Sequence, residues 1–339
     1  MKGRTSYEVN TLRPGDSFSE WDRFVDDSPQ GCIFCRSWWL KAVCPNGFEI
    51  LTLRKAGRIV AGIPLPAYRK WGYTIIGTPQ LTQTLGVLLL PSVKTTYMDR
   101  FSDEVEVLET LVKAIPKFSY FSVRFNYNFT NWLPFYWAGY HDTTRYTYVI
   151  KDLTDLNKVF SDFAYSKRKN IKKAEQLVTI HNDLPAKEFY ANQAMTLRKQ
   201  GDTISYKYGL FKRVYDAALE NSAGRVWYAI DGQENIHAAI FVVFDKKSAY
   251  YLISSIDPDY RNSGAATLLV REAITYVSQY TKRFDFEGSM IRNVEHSFRK
   301  FGAVQTPYFN ITKDNRHLLV KTGLRIFGNK RGTLLPKFG

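Results

Sequence analysis

Hydrophobic and polar positions along the first part of the chain follow two different periods. Residues 48–66 carry β-branched and aliphatic side chains on both sides of Gly57, which predicts two strands joined by a tight turn. Residues 104–115 have apolar positions at helical spacing and stop before Pro116, whereas residues 119–129 alternate as a strand does. This part of the chain is therefore predicted to mix helices with strands.

A new pattern begins after Tyr140, where a strand at 144–153 precedes a helix at 156–177 whose charges lie late in the segment. The elements that follow are predicted in this order: helices at 186–200 and 207–221, strands at 225–232, 236–246 and 248–257, a helix ending near Tyr280, a strand at 283–289, a helix at 294–302 and a strand at 307–313. Short polar turns separate the three consecutive strands, which indicates antiparallel pairing. The pattern predicts a mixed α+β fold.

The length of the chain, 339 residues, exceeds what one hydrophobic core usually supports, and it therefore favours two domains. The change of pattern places their boundary near residue 145. We predict an N-terminal domain at 1–145 and a C-terminal domain at 146–315, followed by a tail at 316–339.

Positive charge is in excess, with 47 Lys and Arg against 32 Asp and Glu, a formal net charge of +15 and a pI near 9.5. The basic residues are concentrated in two segments, 157–174 and 316–339, and the second of these contains no acidic residue. Such a balance favours polyanionic partners, namely nucleic acid, anionic lipid headgroups or phosphorylated substrates.

Metal-binding and membrane-spanning signals are not found in the sequence. Cys32 and Cys35 form a single C-x-x-C pair with no second pair and no histidine at zinc-finger spacing, and the five histidines are scattered, so no metal is expected. The apolar run at 85–93 is shorter than the roughly 20 residues of a transmembrane helix and contains a proline. The opening residues carry no secretory signal, and we therefore expect a cytoplasmic protein without a transmembrane segment.

The segment 256–274 combines the end of a strand, a loop of small residues and the start of a helix. The first backbone N–H groups of a helix have no partner within that helix, and together with the helix dipole they form a site for a pyrophosphate. Gly264 and Ala266 would leave the approach to these groups open, and Arg261 would add positive charge. The segment is therefore predicted to bind linked phosphates.

The spacing Arg261-x-x-Gly264-x-Ala266 between a strand and a helix resembles the acyl-CoA loop of the GNAT N-acyltransferase superfamily, whose pattern is R/Q-x-x-G-x-G/A. This resemblance implies that acetyl-CoA or another acyl-CoA is the co-substrate. It also implies that the donor is held by Arg261, Asn262, Ser263, Gly264, Ala265 and Ala266.

A longer resemblance covers most of the chain. Residues 284–303, 144–153 and 166–176 resemble the second half of the Fem-type aminoacyltransferases that build peptidoglycan cross-bridges, and residues 33–43 and 61–72 resemble their first half. The resemblance implies two tandem GNAT-like domains, each a mostly antiparallel mixed sheet flanked by helices, with the tail 316–339 packed on the first domain. Three basic residues of the matched segments are candidates for substrate binding: Lys41, Lys167 and Arg168.

The candidate general bases for N-acyl transfer are Glu287 and Asp285, because both carboxylates lie on one face of the predicted strand 283–289 and Phe284 and Phe286 lie on the other. The tyrosine that the GNAT superfamily often uses as an acid, four residues before a glycine, is replaced here by Phe298. The Fem-type basic residue at the same place is replaced too, and Arg299 and Lys300 are the candidates to substitute for it.

Two classes of function fit these observations. The first is an N-acyltransferase that moves an acyl group from acyl-CoA to an amine of a cell-envelope or sugar-derived acceptor. The loop at 261–266 favours acyl-CoA as the donor, whereas the Fem-type resemblance and the net charge favour aminoacyl-tRNA. The acceptor would be an amine-bearing small molecule or a lipid-linked compound, with peripheral contact to an anionic membrane and with tRNA as a further partner.

The second class is a non-catalytic module that uses its basic clusters to hold RNA or anionic lipid, and Phe298 favours this alternative because phenylalanine cannot donate a proton. A third alternative is tRNA-dependent tagging of proteins, as in the leucyl transferases related to this fold.

Overall fold

The computed structural model describes residues 7–288 and 290–316. Its helices are α1 (Ser19–Asp27), α2 (Ser37–Val43), α3 (Tyr97–Ala114), α4 (Leu133–Trp137), α5 (Leu156–Ser161), α6 (Tyr165–Ala174), α7 (Ala186–Lys199), α8 (Tyr208–Glu220), α9 (Ala265–Val277) and α10 (Arg292–Arg299), with 3-10 helices at Ile33–Cys35 and Pro258–Ser263. Its strands are β1 (Glu8–Leu12), β2 (Glu49–Lys55), β3 (Arg58–Leu65), β4 (Ala67–Lys70), β5 (Tyr73–Gly77), β6 (Leu88–Leu89), β7 (Tyr120–Arg124), β8 (His141–Ile150), β9 (Thr179–His181), β10 (Gly224–Ile230), β11 (Ile236–Phe244), β12 (Ala249–Ile256), β13 (Phe284–Asp285) and β14 (Val304–Asp314).

The chain forms two compact units. Among the described residues, the first unit comprises residues 7–145 and 308–316, and the second unit is Tyr146–Pro307. We propose that these units correspond to the two domains expected from the sequence. The predicted packing of the tail on the first domain concerns residues that, from 317 onwards, lie outside the described part of the chain.

The first unit contains a four-stranded sheet in the order β1-β2-β3-β6 and, separately, the neighbouring strands β4, β5, β7 and β14. The hairpin predicted around Gly57 is confirmed: β2 and β3 pair antiparallel, and the turn places Ala56 and Gly57 at positive φ. The helix predicted at 104–115 is the second part of α3, which begins earlier because the Thr96 hydroxyl accepts the Asp99 N–H as an N-cap.

The second unit contains the strands β8-β13-β12-β11-β10-β9 in that order. All of these neighbours pair antiparallel except β12 and β13, which are parallel. One face of β11 buries Ile240 and Val242 in a core shared with α6 and α9, and the opposite face packs Phe241 against Phe211 of α8. The predicted mixed α+β architecture is confirmed.

Two element predictions differ from the structure. The single helix predicted at 156–177 is broken between α5 and α6, because Ala164 donates its N–H to the Lys300 carbonyl and Phe163 turns into the core. The strand predicted at 283–289 ends at Asp285, because Glu287 and Gly288 both have positive φ.

No helix among the described residues is both long and apolar enough to cross a membrane. Within the same residues, no group of three or more His, Cys, Asp or Glu side chains is arranged to hold a metal ion.

Candidate active site

The parallel strands β12 and β13 separate after two residue pairs, Ala249 with Phe284 and Tyr250 with Asp285. Strand β12 continues to Ile256, and beyond Tyr250 it pairs only with β11 in the described part of the chain. The edge of β12 from 251 to 256 therefore has no strand partner on the side of β13, and we call the region between the two diverging strands the wedge. A strand edge of this kind offers backbone N–H and C=O groups to an extended ligand.

A β-bulge lies on β12 immediately beyond the point where the two strands separate. Val242 of β11 pairs with Tyr251 and Phe241 pairs with Ile253, so that Leu252 has no partner on β11. A bulge of this kind changes the direction of backbone groups, and bulges occur often beside active sites. Leu252 is therefore positioned to direct a backbone group towards the wedge.

The loop after β12 is the 3-10 helix Pro258–Ser263, and Gly264 joins it to the first residue of α9. Its first turn is fixed from α7, because the Lys199 ammonium donates to both carboxylate oxygens of Asp257 at 2.8 Å and also contacts Asp259 at 2.5 Å. Asp257, which is almost completely buried, also accepts the Asp259 N–H. The loop is therefore held at both ends by regular structure.

Two backbone N–H groups at the start of α9 remain available. The Ala265 N–H donates to the Ser263 hydroxyl at 3.2 Å, and the Thr267 N–H donates to the Gly264 carbonyl. The N–H groups of Gly264 and Ala266 donate to no group among the described residues. The structure thus leaves two amides without a partner in the described part of the chain, that of the buried Gly264 and that of the half-buried Ala266, rather than the whole run from 262 to 266.

The absence of a side chain at Gly264 has a packing reason. Its φ is +86°, and a Cβ atom there would overlap the Asn170 carbonyl oxygen and lie 2.9 Å from the carbonyl carbon. Lys173 of the same helix, α6, donates to the Asn262 carbonyl at 2.7 Å. The sequence suggested that small residues keep a phosphate approach open, whereas at Gly264 the structure shows that the space is filled by the backbone of α6.

The remaining predicted donor-binding residues differ in exposure. Arg261 and Asn262 are exposed, Ser263 and Ala265 are buried, and Ala266 is half-buried. The exposed guanidinium of Arg261 and the Lys173 ammonium place positive charge beside the free amides. This end of the wedge is therefore suited to an anionic group.

The two candidate carboxylates have different surroundings. Asp285 is completely buried, and its Oδ1 accepts from the Thr147 hydroxyl of β8 and, at 2.8 Å, from the Glu287 N–H. Glu287 is only partly buried. Asp285 therefore holds the backbone of Glu287 in place, and Glu287 is the carboxylate that is nearer to solvent.

Glu287 has an unfavourable backbone conformation. Its φ is +59°, a left-handed value that costs a non-glycine residue about 1–2 kcal/mol. Gly288 follows with φ +65°, and a Cβ there would lie 2.7 Å from the Thr147 Cα. Close packing against β8 thus forces the chain out of the strand, and strain of this kind is common at functional sites.

An aromatic cluster lies beside this turn. The Phe286 ring stacks with the rings of Phe298 and Phe301 at centroid distances of 4.9 and 5.1 Å, and Tyr251 meets Phe298 edge-on at 6.1 Å. Burial raises the pKa of Tyr251 to about 12. The position where a GNAT tyrosine acid is usual is therefore part of an apolar wall.

Lys167 reaches this cluster from α6. Its Nζ lies 3.0 Å from the Ser297 hydroxyl and 4.0 Å from the centre of the Phe301 ring. Burial, and secondly the charge of Lys300, lower the pKa of Lys167 to about 8. It has no acidic partner among the described residues. The sequence marked Lys167 as a candidate for substrate binding, but only the fold shows that it lies beside Ser297 and Phe301.

The other predicted site residues are placed as follows. Arg299 is exposed on α10 and contacts Glu295. The Lys300 carbonyl accepts a hydrogen bond from the Ala164 N–H at the start of α6. Arg168 donates to the Ser161 and Phe163 carbonyls, so that it closes the end of α5. Lys41 belongs to the first unit, where its ammonium lies over the Phe18 ring. Two residues that the sequence did not single out, Thr147 and Tyr251, line the site through contacts between distant segments.

Comparisons with known proteins agree with this geometry. Residues 161–290 match the family model described as an acetyltransferase (GNAT) domain. A crystal structure of FemX, 11% identical, aligns over 93% of this chain and 99% of that chain with a TM-score of 0.69. A tandem GNAT protein from the clavulanic acid biosynthesis pathway, 10% identical, aligns over 91% and 98% with a TM-score of 0.53. No curated protein matches the sequence.

A conserved protein of unknown function from Bacteroides thetaiotaomicron also shares the fold, with 12% identity over 88% of this chain, 97% of that chain and a TM-score of 0.53. The structural likenesses confirm the prediction of a tandem GNAT-like fold of the Fem type. The matched domain, which contains the loop, the wedge and Glu287, confirms the prediction of a GNAT-type N-acyltransferase.

Proposed function

We propose that this protein transfers an acyl group from acyl-CoA to an amine of a cell-envelope or sugar-derived acceptor, and that the reaction takes place in the wedge between β12 and β13. The observation that carries this proposal is the open edge of β12, which leads to the two free amides of Gly264 and Ala266. A ligand with an extended amide-containing arm that leads to a pyrophosphate matches both features.

The donor would bind along β12. Its pyrophosphate would accept from the Gly264 and Ala266 amides beside Arg261, and the amides of its arm would pair with the strand edge as an added strand does. The thioester carbonyl would then lie near the bulge at Leu252. A backbone N–H at that bulge would stabilise the negative charge that develops on the carbonyl oxygen.

Two side chains would move protons in the reaction. Glu287 would accept a proton from the acceptor ammonium, directly or through a water, so that the free amine attacks the thioester carbon. The tetrahedral intermediate would collapse with cleavage of the C–S bond, and the attacking nitrogen would release its remaining surplus proton to water. The departing thiolate would take a proton from Lys167. A pKa of about 8 suits Lys167 for this step because it lies close to that of a thiol, about 8.5.

The strain at Glu287 favours this enzyme over a non-catalytic binding module. A left-handed glutamate costs stability, and strained residues of this kind cluster at active sites. Asp285 and Thr147 supply the contacts that hold it. Phe298 favoured the non-catalytic alternative because it cannot donate a proton, and in this proposal Lys167 donates that proton instead.

Aminoacyl-tRNA is the second candidate donor. The exposed lysines of α6, Lys169, Lys172 and Lys173, lie on the helix that packs against the loop, and such a basic surface suits a nucleic-acid backbone. With this donor, affinity would fall steeply with salt, whereas the affinity of acetyl-CoA would change much less.

A calorimetric titration with acetyl-CoA tests the proposal, with Ala266→Glu as the informative variant. A carboxylate at this place would repel the pyrophosphate. Because Ala266 packs partly against the core, the Tm of the variant is measured as well, so that lost binding is distinguished from lost folding. Thr275→Glu, an exposed position near the end of α9, makes the same charge change and is the control.

We expect Ala266→Glu to raise the Kd for acetyl-CoA at least tenfold and Thr275→Glu to leave it unchanged. The acyl-CoA proposal is wrong if the wild type gives no heat at millimolar acetyl-CoA, or if the two variants bind equally. If acetyl-CoA binds as expected, incubation with acetyl-CoA and a panel of amines, followed by mass spectrometry, identifies the acceptor.

A further inference from the structure

A cavity lies in the first unit, and none of its lining residues belongs to the wedge. Its volume is about 430 Å³, and it opens between the beginning of α3 and the segment that enters α4. Four aromatic rings contribute to its wall: Tyr97, Phe101, Trp132 and Phe309. The volume falls within the range of small-molecule sites, roughly 300–1,000 Å³.

The charge of this cavity is opposite to that of the protein. Glu104 contributes a carboxylate, and no lysine or arginine lines the cavity although the chain carries a net charge of +15. Among the described residues, Glu104 makes no ion pair or side-chain hydrogen bond. A carboxylate among aromatic faces attracts an organic cation, and it disfavours phosphates and other anions.

The amide of Asn131 is the second feature that points to a ligand. Asn131 lines the cavity and is 8% exposed, and neither its Nδ2 nor its Oδ1 has a hydrogen-bond partner among the described residues. Buried polar side chains in folded proteins are nearly always paired. Both amide atoms are enclosed in this structure, so a ligand amide would pair with the donor and the acceptor of this side chain once the side chain turns into the cavity.

We propose that this cavity binds an alkylammonium group that stands next to an amide, as in a basic peptide segment or an amino acid derivative. The ammonium would lie between the aromatic rings with Glu104 as its counter-ion, and the neighbouring amide would pair with Asn131. The proposed site uses residues of the first unit alone, and the proposal does not rest on the identity of the acyl donor.

The binding experiment uses the full-length protein and a probe that carries both groups, Nα-acetyl-lysine N-methylamide. Two matched probes each remove one group: Nα-acetyl-norleucine N-methylamide lacks the ammonium, and pentylammonium lacks the amides. Calorimetry is expected to give the lysine probe a Kd at least tenfold lower than that of either control. A longer capped peptide with one central lysine distinguishes the sources, because tighter binding than the single residue indicates a peptide ligand.

Variants assign the two polar groups. Glu104→Gln is expected to weaken the lysine probe at least tenfold and to leave the norleucine probe unchanged, whereas Glu106→Gln, an exposed position on the same helix, changes neither. Asn131→Leu is expected to weaken the lysine probe while raising Tm, because it removes an unpaired buried amide. If Asn131 had only a structural role, Asn131→Leu would raise Tm without weakening the binding of the lysine probe.

The proposal is overturned if lysine and norleucine probes bind equally, or if Glu104→Gln and Glu106→Gln behave alike. It is also overturned if the probes fail while vesicles of anionic lipid bind through Trp132, since the aromatic residues would then belong to a membrane surface. Acetyl-CoA binding, measured in the same variants, is expected to remain at the wild-type value, so that failure here leaves the proposed acyl transfer untouched.

Discussion

The carbonyl oxygen of Asn170 in α6 occupies the space that a Cβ atom on Gly264 would need. This one contact joins the basic helix to the loop at the start of α9, and Lys173 strengthens the connection through the Asn262 carbonyl. The position of the two free amides at the end of the wedge therefore depends on how α6 packs.

Replacement of this glycine is expected to be costly. Gly264→Ala combines a left-handed φ, worth about 1–2 kcal/mol, with overlap against a backbone that cannot move freely, worth about 1–3 kcal/mol more. Gly57→Ala is the control, because Gly57 has φ +76° and no atom within 4 Å of an added Cβ. Urea unfolding should show the larger loss for Gly264→Ala, and equal losses would contradict the packing role of Asn170.

Removal of the proposed base should reduce turnover without changing the affinity for the acyl donor. Glu287→Gln keeps the shape of the side chain and is expected to lower kcat by about 10²–10⁴-fold, with an unchanged Kd for acetyl-CoA. Glu295→Gln on α10, whose carboxylate pairs with Arg299 at the surface, should keep the wild-type kcat. A Glu287→Gln enzyme that turns over at the wild-type rate would assign proton removal to another group.

The contact between Thr147 and Asp285 is expected to support both stability and turnover. Thr147→Val removes a donor from a fully buried carboxylate, which should cost about 1–3 kcal/mol in the free energy of unfolding. It should also lower kcat, because Asp285 holds the Glu287 backbone. Thr110→Val on α3 removes a surface hydroxyl and should change unfolding by about 0.5 kcal/mol or less. A harmless Thr147→Val would show that Asp285 is held by its other contacts.

The lowered pKa of Lys167 predicts a pH dependence of stability. Its pKa falls from 10.5 to about 8 on folding, so between these values the unfolded chain binds more protons than the folded protein. The free energy of unfolding should therefore rise with pH across this window. Lys167→Met retains the packing on Phe301 and should lack this contribution. Unfolding curves of the two proteins that stay parallel between pH 8 and 10.5 would show that Lys167 titrates normally.

The sequence by itself determined the local parts of this protein. Glycine and β-branched residues around Gly57 specify a hairpin, because turn and strand preferences act over a few residues. The order of strands and helices after Tyr140 and the loop Arg261-x-x-Gly264-x-Ala266 resemble the GNAT superfamily, and this resemblance predicted the fold and the kind of transfer. These features depend on spacing along the chain, which the sequence displays directly.

Only the tertiary structure decided which residues meet. The break between α5 and α6 follows from the bond of Ala164 to Lys300, more than a hundred residues away, and the early end of β13 follows from packing against β8. In the same way Lys167 comes to lie beside Ser297. Contacts of this kind depend on side-chain volume and burial across segments far apart in sequence, and no local period records them.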